Sequence, residues 1–224
     1  MLWFGMKTTA RNAAAFAVFL GVDVAGQALL VWAVPIESAG RVRWVASLVL
    51  SVLLHLFCAS YVLYGATEAS RDTSRRLSPR DVLVGGSTRL FRVAATLAGV
   101  GAVVVAGLWV FTWLGVALLL AFGLVPLAAA AGAERPVAAG LGALAANALR
   151  YAWVVVVGAI VLGAVSGAVA LVALFWPTPL AQIVVLTGQG AVLVWLACAM
   201  APLSTDRSGA AAPRANAEAV VPER

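Results

Sequence analysis

The chain alternates long apolar runs with short polar segments. Residues 12–34 are apolar apart from Asn12, Asp23 and Gln27, and a polar stretch from Pro35 to Arg43 separates them from a second apolar run at 44–66. Residues 67–92 then carry six arginines, and no charged residue occurs from Val93 to Ala133. A helix rises about 1.5 Å per residue and a bilayer core is about 30 Å thick, so that uncharged run is long enough for two crossings. Its turn is expected near Gly107 to Gly115, where Trp109, Phe111 and Trp113 cluster. The last run, from Arg150 to about Ala201, breaks at Trp176-Pro-Thr-Pro179, where two prolines oppose helix continuation.

This pattern predicts an all-α, polytopic membrane protein. Six transmembrane helices form three hairpins within a single domain, 1–203. The spans are about 12–34, 44–66, 93–111, 114–132, 151–175 and 181–203. Barrel strands would alternate apolar and polar positions, and these runs do not. Two stretches of Gly, Ala and Leu, Ser78 to Arg92 and Pro136 to Arg150, read as short amphipathic segments on the inner surface, with Gly85-Gly86 weakening the first. The hairpins open on Arg11, Arg92 and Arg150, so the plan reads as a threefold repeat of surface helix plus hairpin. The tail, 204–224, is rich in Ala, Pro, Ser and charge and reads as disordered.

Composition agrees with the pattern. Hydrophobic residues make up 63% of the 224 residues and charged residues 11%, against about 25% charged in soluble domains. The net charge of +6 is no sign of nucleic-acid binding, because the basic residues sit in short segments between apolar runs. They act as topology signals instead. Thirteen of the fifteen fall on the side that holds the N-terminus, the arginine-rich segment and the tail. Both termini are therefore expected in the cytoplasm, with the chain in the plasma membrane. Trp32, Trp44, Trp109, Trp113 and Trp176 fall at the expected outer ends. The first run reaches Val34 and carries Asp23, so it reads as a retained span, not a cleaved leader. Cys58 and Cys198 lie inside apolar runs and read as small buried hydrophobes.

Asp23 is the feature with chemical content. An ionisable residue at mid-span costs at least about 2.5 kcal/mol on insertion scales and needs a partner. The single histidine, His55, lies as far after the centre of the first loop as Asp23 lies before it. An antiparallel hairpin therefore sets the two at one depth. Gln27 follows Asp23 by four on the same face, and Ser47, Ser51, His55 and Cys58 form a polar stripe on the second helix. The candidate intramembrane polar site is Asp23, Gln27, Ser51 and His55. Histidine titrates near neutrality, which suits a proton- or ion-sensitive role. The plainer reading is a polar contact that glues one hairpin together, at about 0.6 kcal/mol for such pairs. Asp23, His55 and Cys58 make a poor metal set, and neither metal nor cofactor is expected. Phosphate-loop, nucleophile-elbow and zinc-protease motifs do not occur, so no catalytic residue is assigned and no enzyme is expected.

Two further features read as packing or surface devices. Ala159, Gly163 and Gly167, and Ala98, Ala102 and Ala106, form small-residue stripes expected to pack within the chain. Arg71, Arg75, Arg76, Arg80, Arg89 and Arg92 are candidates for contact with anionic lipids.

The stretch Val125-Pro126, Glu134-Arg-Pro136, Ala143-Leu144 and Asn147-Ala-Leu-Arg150, leading into the fifth span, resembles a diffuse group of six-span bacterial and archaeal membrane proteins. That group includes the membrane domain of some glycerophosphodiester phosphodiesterases. The resemblance implies the architecture of residues 1–203 only, since the catalytic domain of those enzymes has no counterpart here. On sequence the chain reads as a non-enzymatic membrane scaffold or lipid-interacting accessory protein. The alternative is a small transporter with a proton- or ion-sensitive site at Asp23 and His55. An open cavity reaching Asp23 favours the transporter, and a closed bundle favours the scaffold.

Overall fold

The computed structural model describes residues 1–33, 40–173 and 178–205. The first polar loop, the Trp176-Pro-Thr-Pro179 turn up to residue 177 and the tail from 206 lie outside the described residues, as does the side chain of Trp32. Nine helices and no strand occur among the described residues: α1 Leu2–Arg11, α2 Ala13–Ala33, α3 Arg41–Arg71, α4 Pro79–Ser87, α5 Leu90–Val110, α6 Thr112–Phe122, α7 Val125–Ala130, α8 Pro136–Ala173 and α9 Thr178–Thr205. Six segments are long and apolar enough to cross a membrane, with α6 and α7 together forming the fourth. The chain is a multi-pass membrane protein of three helical hairpins.

Each hairpin is preceded by a short helical segment, and an interruption of the regular helix marks each junction. The junctions are Asn12 (φ −107°, ψ 20°), Arg89 (φ −113°, ψ −5°) and Asn147 (φ −128°, ψ 24°). Asn12 and Asn147 both turn their amides back onto a carbonyl four residues earlier, at 3.0 and 3.2 Å. Such side-chain bonds offer the backbone an alternative to continuing the helix. The order of elements therefore recurs three times. The first copy, with α1 as its surface helix, lacks a counterpart in the sequence reading. In the third, surface segment and span are one helix kinked at Asn147.

Local chemistry fixes the segment between α3 and α5. Asp72 ends α3 in extended geometry and accepts from Ser74 Oγ, Ser74 N and Arg75 N. These bonds hold its carboxylate below the usual 3.8, the Ser74 hydroxyl contributing most. Ser78 and Asp81 form a reciprocal capping box at the start of α4, with Pro79 at the first helical position. Gly85-Gly86 does not weaken α4. A Cβ on Gly86 would stand 2.7 Å from the Tyr61 ring, so the glycines let α4 lie against α3.

The fourth span differs most from expectation. The turn before it is one extended residue, Phe111 (φ −163°), made possible by Gly107 and Gly115. The Gly115 Cα lies 3.1 Å from where a Cβ on Gly107 would be. The span then breaks at Gly123 and Leu124, ahead of Pro126, and resumes as α7, a six-residue helix whose every residue is buried. Helix α7 packs against α3, α5, α8 and α9. It ends on Gly132 (φ +88°), with Ala133 N bonded to Ala128 O and Gly132 N to Ala129 O, the Schellman arrangement.

Three arginines converge on that helix end. Arg71 donates to Ala131 O at 2.5 Å, Arg89 to Ala130 O at 2.8 Å and Arg92 to Ala133 O at 3.3 Å. Glu68 pairs with Arg71 at 2.8 Å and lies 3.9 Å from Arg89. Cations at a helix C-terminus offset its partial negative charge. Three of the six arginines read as lipid contacts thus point at protein carbonyls. Arg75 lies 3.5 Å from Asp81, and Arg75, Arg76 and Arg80 are exposed. Arg11 donates to the carbonyls of Thr73 and Ser74, and Leu77 N donates to Asn12 Oδ1, tying the α1–α2 junction to the same segment.

Burial is concentrated at this arginine-rich end. The buried core draws on Phe16, Tyr61, Ala66, Leu124, Leu127, Tyr151, Cys198 and Leu203. Toward the opposite end the hairpins stand apart. No described residue of α2 beyond Phe19, of α3 before Cys58 or of α8 beyond Gly158 is buried. The small-residue stripes belong to this loose region. A Cβ on Gly163 or Gly167 would meet nothing within 4 Å, and Ala98, Ala102 and Ala106 are exposed, so neither stripe packs as expected. The close approaches are made elsewhere, by Gly5 on Ala199, Gly140 on Val125 and Gly190 on Leu20.

Candidate functional site

Asp23 on α2 and His55 on α3 meet halfway along the first hairpin. His55 Nδ1 lies 2.9 Å from Asp23 Oδ2. An ionised carboxylate only accepts, so Nδ1 carries the proton and Nε2 is the ring position that exchanges one. Gln27 donates to Asp23 Oδ1 at 3.4 Å and to Ser51 O at 3.0 Å, and Ser51 Oγ donates to Gln27 Oε1 at 2.6 Å. Ser51 therefore holds both ends of the Gln27 amide and aims it at the carboxylate. All four residues singled out from sequence form one connected cluster. Ser47 does not join it, because its hydroxyl returns to Arg43 O. Cys58 is buried one turn deeper, and it and Cys198 are free thiols. No group of three or more His, Cys, Asp and Glu side chains is placed to hold a metal among the described residues.

The cluster lines an open cleft. A space of about 370 Å³ between α2, α3 and α9 is bounded by Asp23, Gln27, Ser51, His55 and, from α9, Leu186, Gln189, Gly190 and Leu193. The Asp23 side chain is 17% exposed and the His55 side chain 56%. A second space, about 640 Å³, lies among the three hairpins on the arginine-rich side of the pair. Its walls are apolar, from Leu97, Val104, Leu120, Leu127, Val155 and Leu196 among others. Asp23, His55, Gly190 and Leu193 line both spaces. The ion pair thus stands at the boundary between the cleft that carries the polar cluster and a larger space with apolar walls.

Sequence reading missed two members of the polar layer. Gln189 donates to Ser166 Oγ at 3.2 Å, carrying the layer from the cleft across to α8. Its signal was present: a polar side chain between Gly188 and Gly190, near the middle of an apolar run. A Cβ on Gly190 would strike Leu20, so this glycine seats α9 against α2 and delivers Gln189 to the cleft. No family model matches the chain, and comparison with curated proteins and solved structures returns no match.

Proposed function

We propose that the chain is a non-enzymatic transport protein of the plasma membrane with a proton-responsive site at Asp23 and His55. The observation that carries this reading is the placement of the mid-span Asp23–His55 pair on the wall of an open cleft. A pair serving only to join two helices needs no such access. Ser51 and Gln27 orient the carboxylate, and His55 Nε2 exchanges protons with the cleft. The basic residues favour cytoplasmic termini, which puts the cleft in the half of the bundle away from the cytoplasm.

The test is proton flux in proteoliposomes carrying a trapped pH dye. Wild type is expected to dissipate an imposed pH gradient, with Asp23→Asn and His55→Gln each slower by at least about tenfold, since a hydrogen bond to a charged group is worth about 1.5–3 kcal/mol. Equal rates for wild type and both variants would sink the reading. A second reading, a lipid-interacting scaffold, is favoured by the exposure of Arg76 and Arg80 beside the tightly packed end. It expects anionic vesicles to retain the protein and Arg76→Ala/Arg80→Ala to weaken that retention, with no proton flux at all.

A further inference from the structure

The larger chamber narrows what the site would take. It holds about 640 Å³, within the range of about 300–1,000 Å³ typical of small-molecule sites. Asp23 and His55 are its ionisable pair, both at one edge. The other titratable groups facing it are the Cys58 thiol from α3 and the Tyr151 phenol from α8. Among the described residues, α5, α6, α7 and α9 present no charged side chain to it. A small inorganic cation needs several oxygen ligands to replace its water, and these walls offer one carboxylate. An anion would meet that carboxylate with no lysine or arginine to offset it. The complementary ligand carries one positive charge spread over an apolar body.

We propose that the chamber binds a lipophilic organic cation, whose charged centre pairs with Asp23 as His55 loses a proton. This rests on the proton-responsive reading above and names its substrate class. The charge balance is simple. With His55 protonated, the pair is neutral and a cation gains little. When Nε2 gives its proton to water in the cleft, Nδ1–H stays on Asp23 and the site is left with one net negative charge. The entering cation neutralises that charge in place of the lost proton, so one proton leaves for each cation bound. Gln27, fixed by Ser51, keeps Asp23 Oδ1 in place through the exchange.

Tetraphenylphosphonium and tetraphenylborate are nearly identical in shape and opposite in charge, so together they separate charge recognition from apolar partitioning. Binding of each to the full-length protein in neutral maltoside micelles is measured by equilibrium dialysis against protein-free micelles. The phosphonium is expected to bind saturably at one site. It should bind more tightly at alkaline than at acidic pH, because a protonated imidazole already neutralises the carboxylate. Asp23→Asn loses the site, Asp23→Glu restores it, and His55→Gln binds with the pH dependence gone. Tetraphenylborate shows no saturable binding. Equal binding of the two ions, or Asp23→Asn binding like wild type while eluting as a monodisperse peak, overturns the proposal. So does absence of phosphonium binding by wild type. If that absence accompanies His55-dependent proton flux, the substrate class falls and the proton-responsive site stands.

Discussion

The two ends of the bundle are built differently from the same few residue types. At the arginine-rich end, α7 is enclosed on all sides, its carbonyls are capped by three guanidiniums, and glycines bring backbones into contact. Toward the opposite end, Gly163, Gly167, Ala98, Ala102 and Ala106 face open space, and the first and third hairpins stand apart beside the cleft. Small residues permit close packing but do not cause it. What closes one end is the set of directed polar bonds that hold α3, α5 and α7 together. Toward the other, the directed side-chain bonds between helices among the described residues are those of the Asp23 cluster and of Gln189 with Ser166.

Breaking the closed end should have the largest effect. A Cβ on Gly140 would stand 2.8 Å from Val125 Cα and 2.9 Å from Val125 N, backbone atoms that cannot swing aside. Gly140→Val is expected to abolish a monodisperse folded species in size-exclusion chromatography, while Gly163→Val, with nothing within 4 Å, elutes as wild type. Next comes truncation in the core. Leu124→Ala, at a fully buried position, should cost about 2–5 kcal/mol. Leu119→Ala, 53% exposed, should cost less than about 1 kcal/mol, both read from reversible unfolding in mixed micelles. Equal losses would show that the contrast between the ends is not energetic.

Removing one cap sharpens the comparison. Arg89→Ala should lower stability by about 1–2 kcal/mol, since one charge-assisted bond to the end of α7 is lost and Arg71 and Arg92 keep theirs. An unchanged melting temperature would reduce these arginines to topology signals.

The smallest effect concerns acid. The Asp81 carboxylate is held below 3.8, first by the Ser78 backbone N–H and then by the Ser78 hydroxyl. A carboxyl with a depressed folded value stabilises the fold above its unfolded value and loses that contribution as pH falls through the folded one. Amide exchange in α4 should therefore be steady above about pH 4 and accelerate below it, relative to chemical exchange. In Asp81→Ala it should be fast throughout.

Different parts of this plan were legible in the sequence to different degrees, for physical reasons. The spans and hairpins follow from apolar length, which is local. The Asp23, Gln27, Ser51 and His55 cluster followed from spacing alone, because an antiparallel hairpin converts equal distance from its loop into equal depth. Gln189 needed a third helix at a known angle, which only the Gly190–Leu20 approach supplies. The arginines are the instructive failure. A guanidinium that marks topology, one that meets lipid and one that caps a buried helix have the same sequence signature. Only the termination of α7 at Gly132, which turns the carbonyls of Ala130, Ala131 and Ala133 toward them, tells them apart. The stripes failed likewise, since period four identifies a face and not what it faces.

The cap on α7 also bears on the order of biosynthesis. Arg71, Arg89 and Arg92 leave the ribosome before the carbonyls of Ala130, Ala131 and Ala133 that they bind. Domains and their parts generally form from the N-terminus forward during translation. The fourth span therefore enters a socket whose donors are already waiting. The α8 helix then closes over it through Gly140, and α9, arriving last, completes the buried core against α1, α2 and α3.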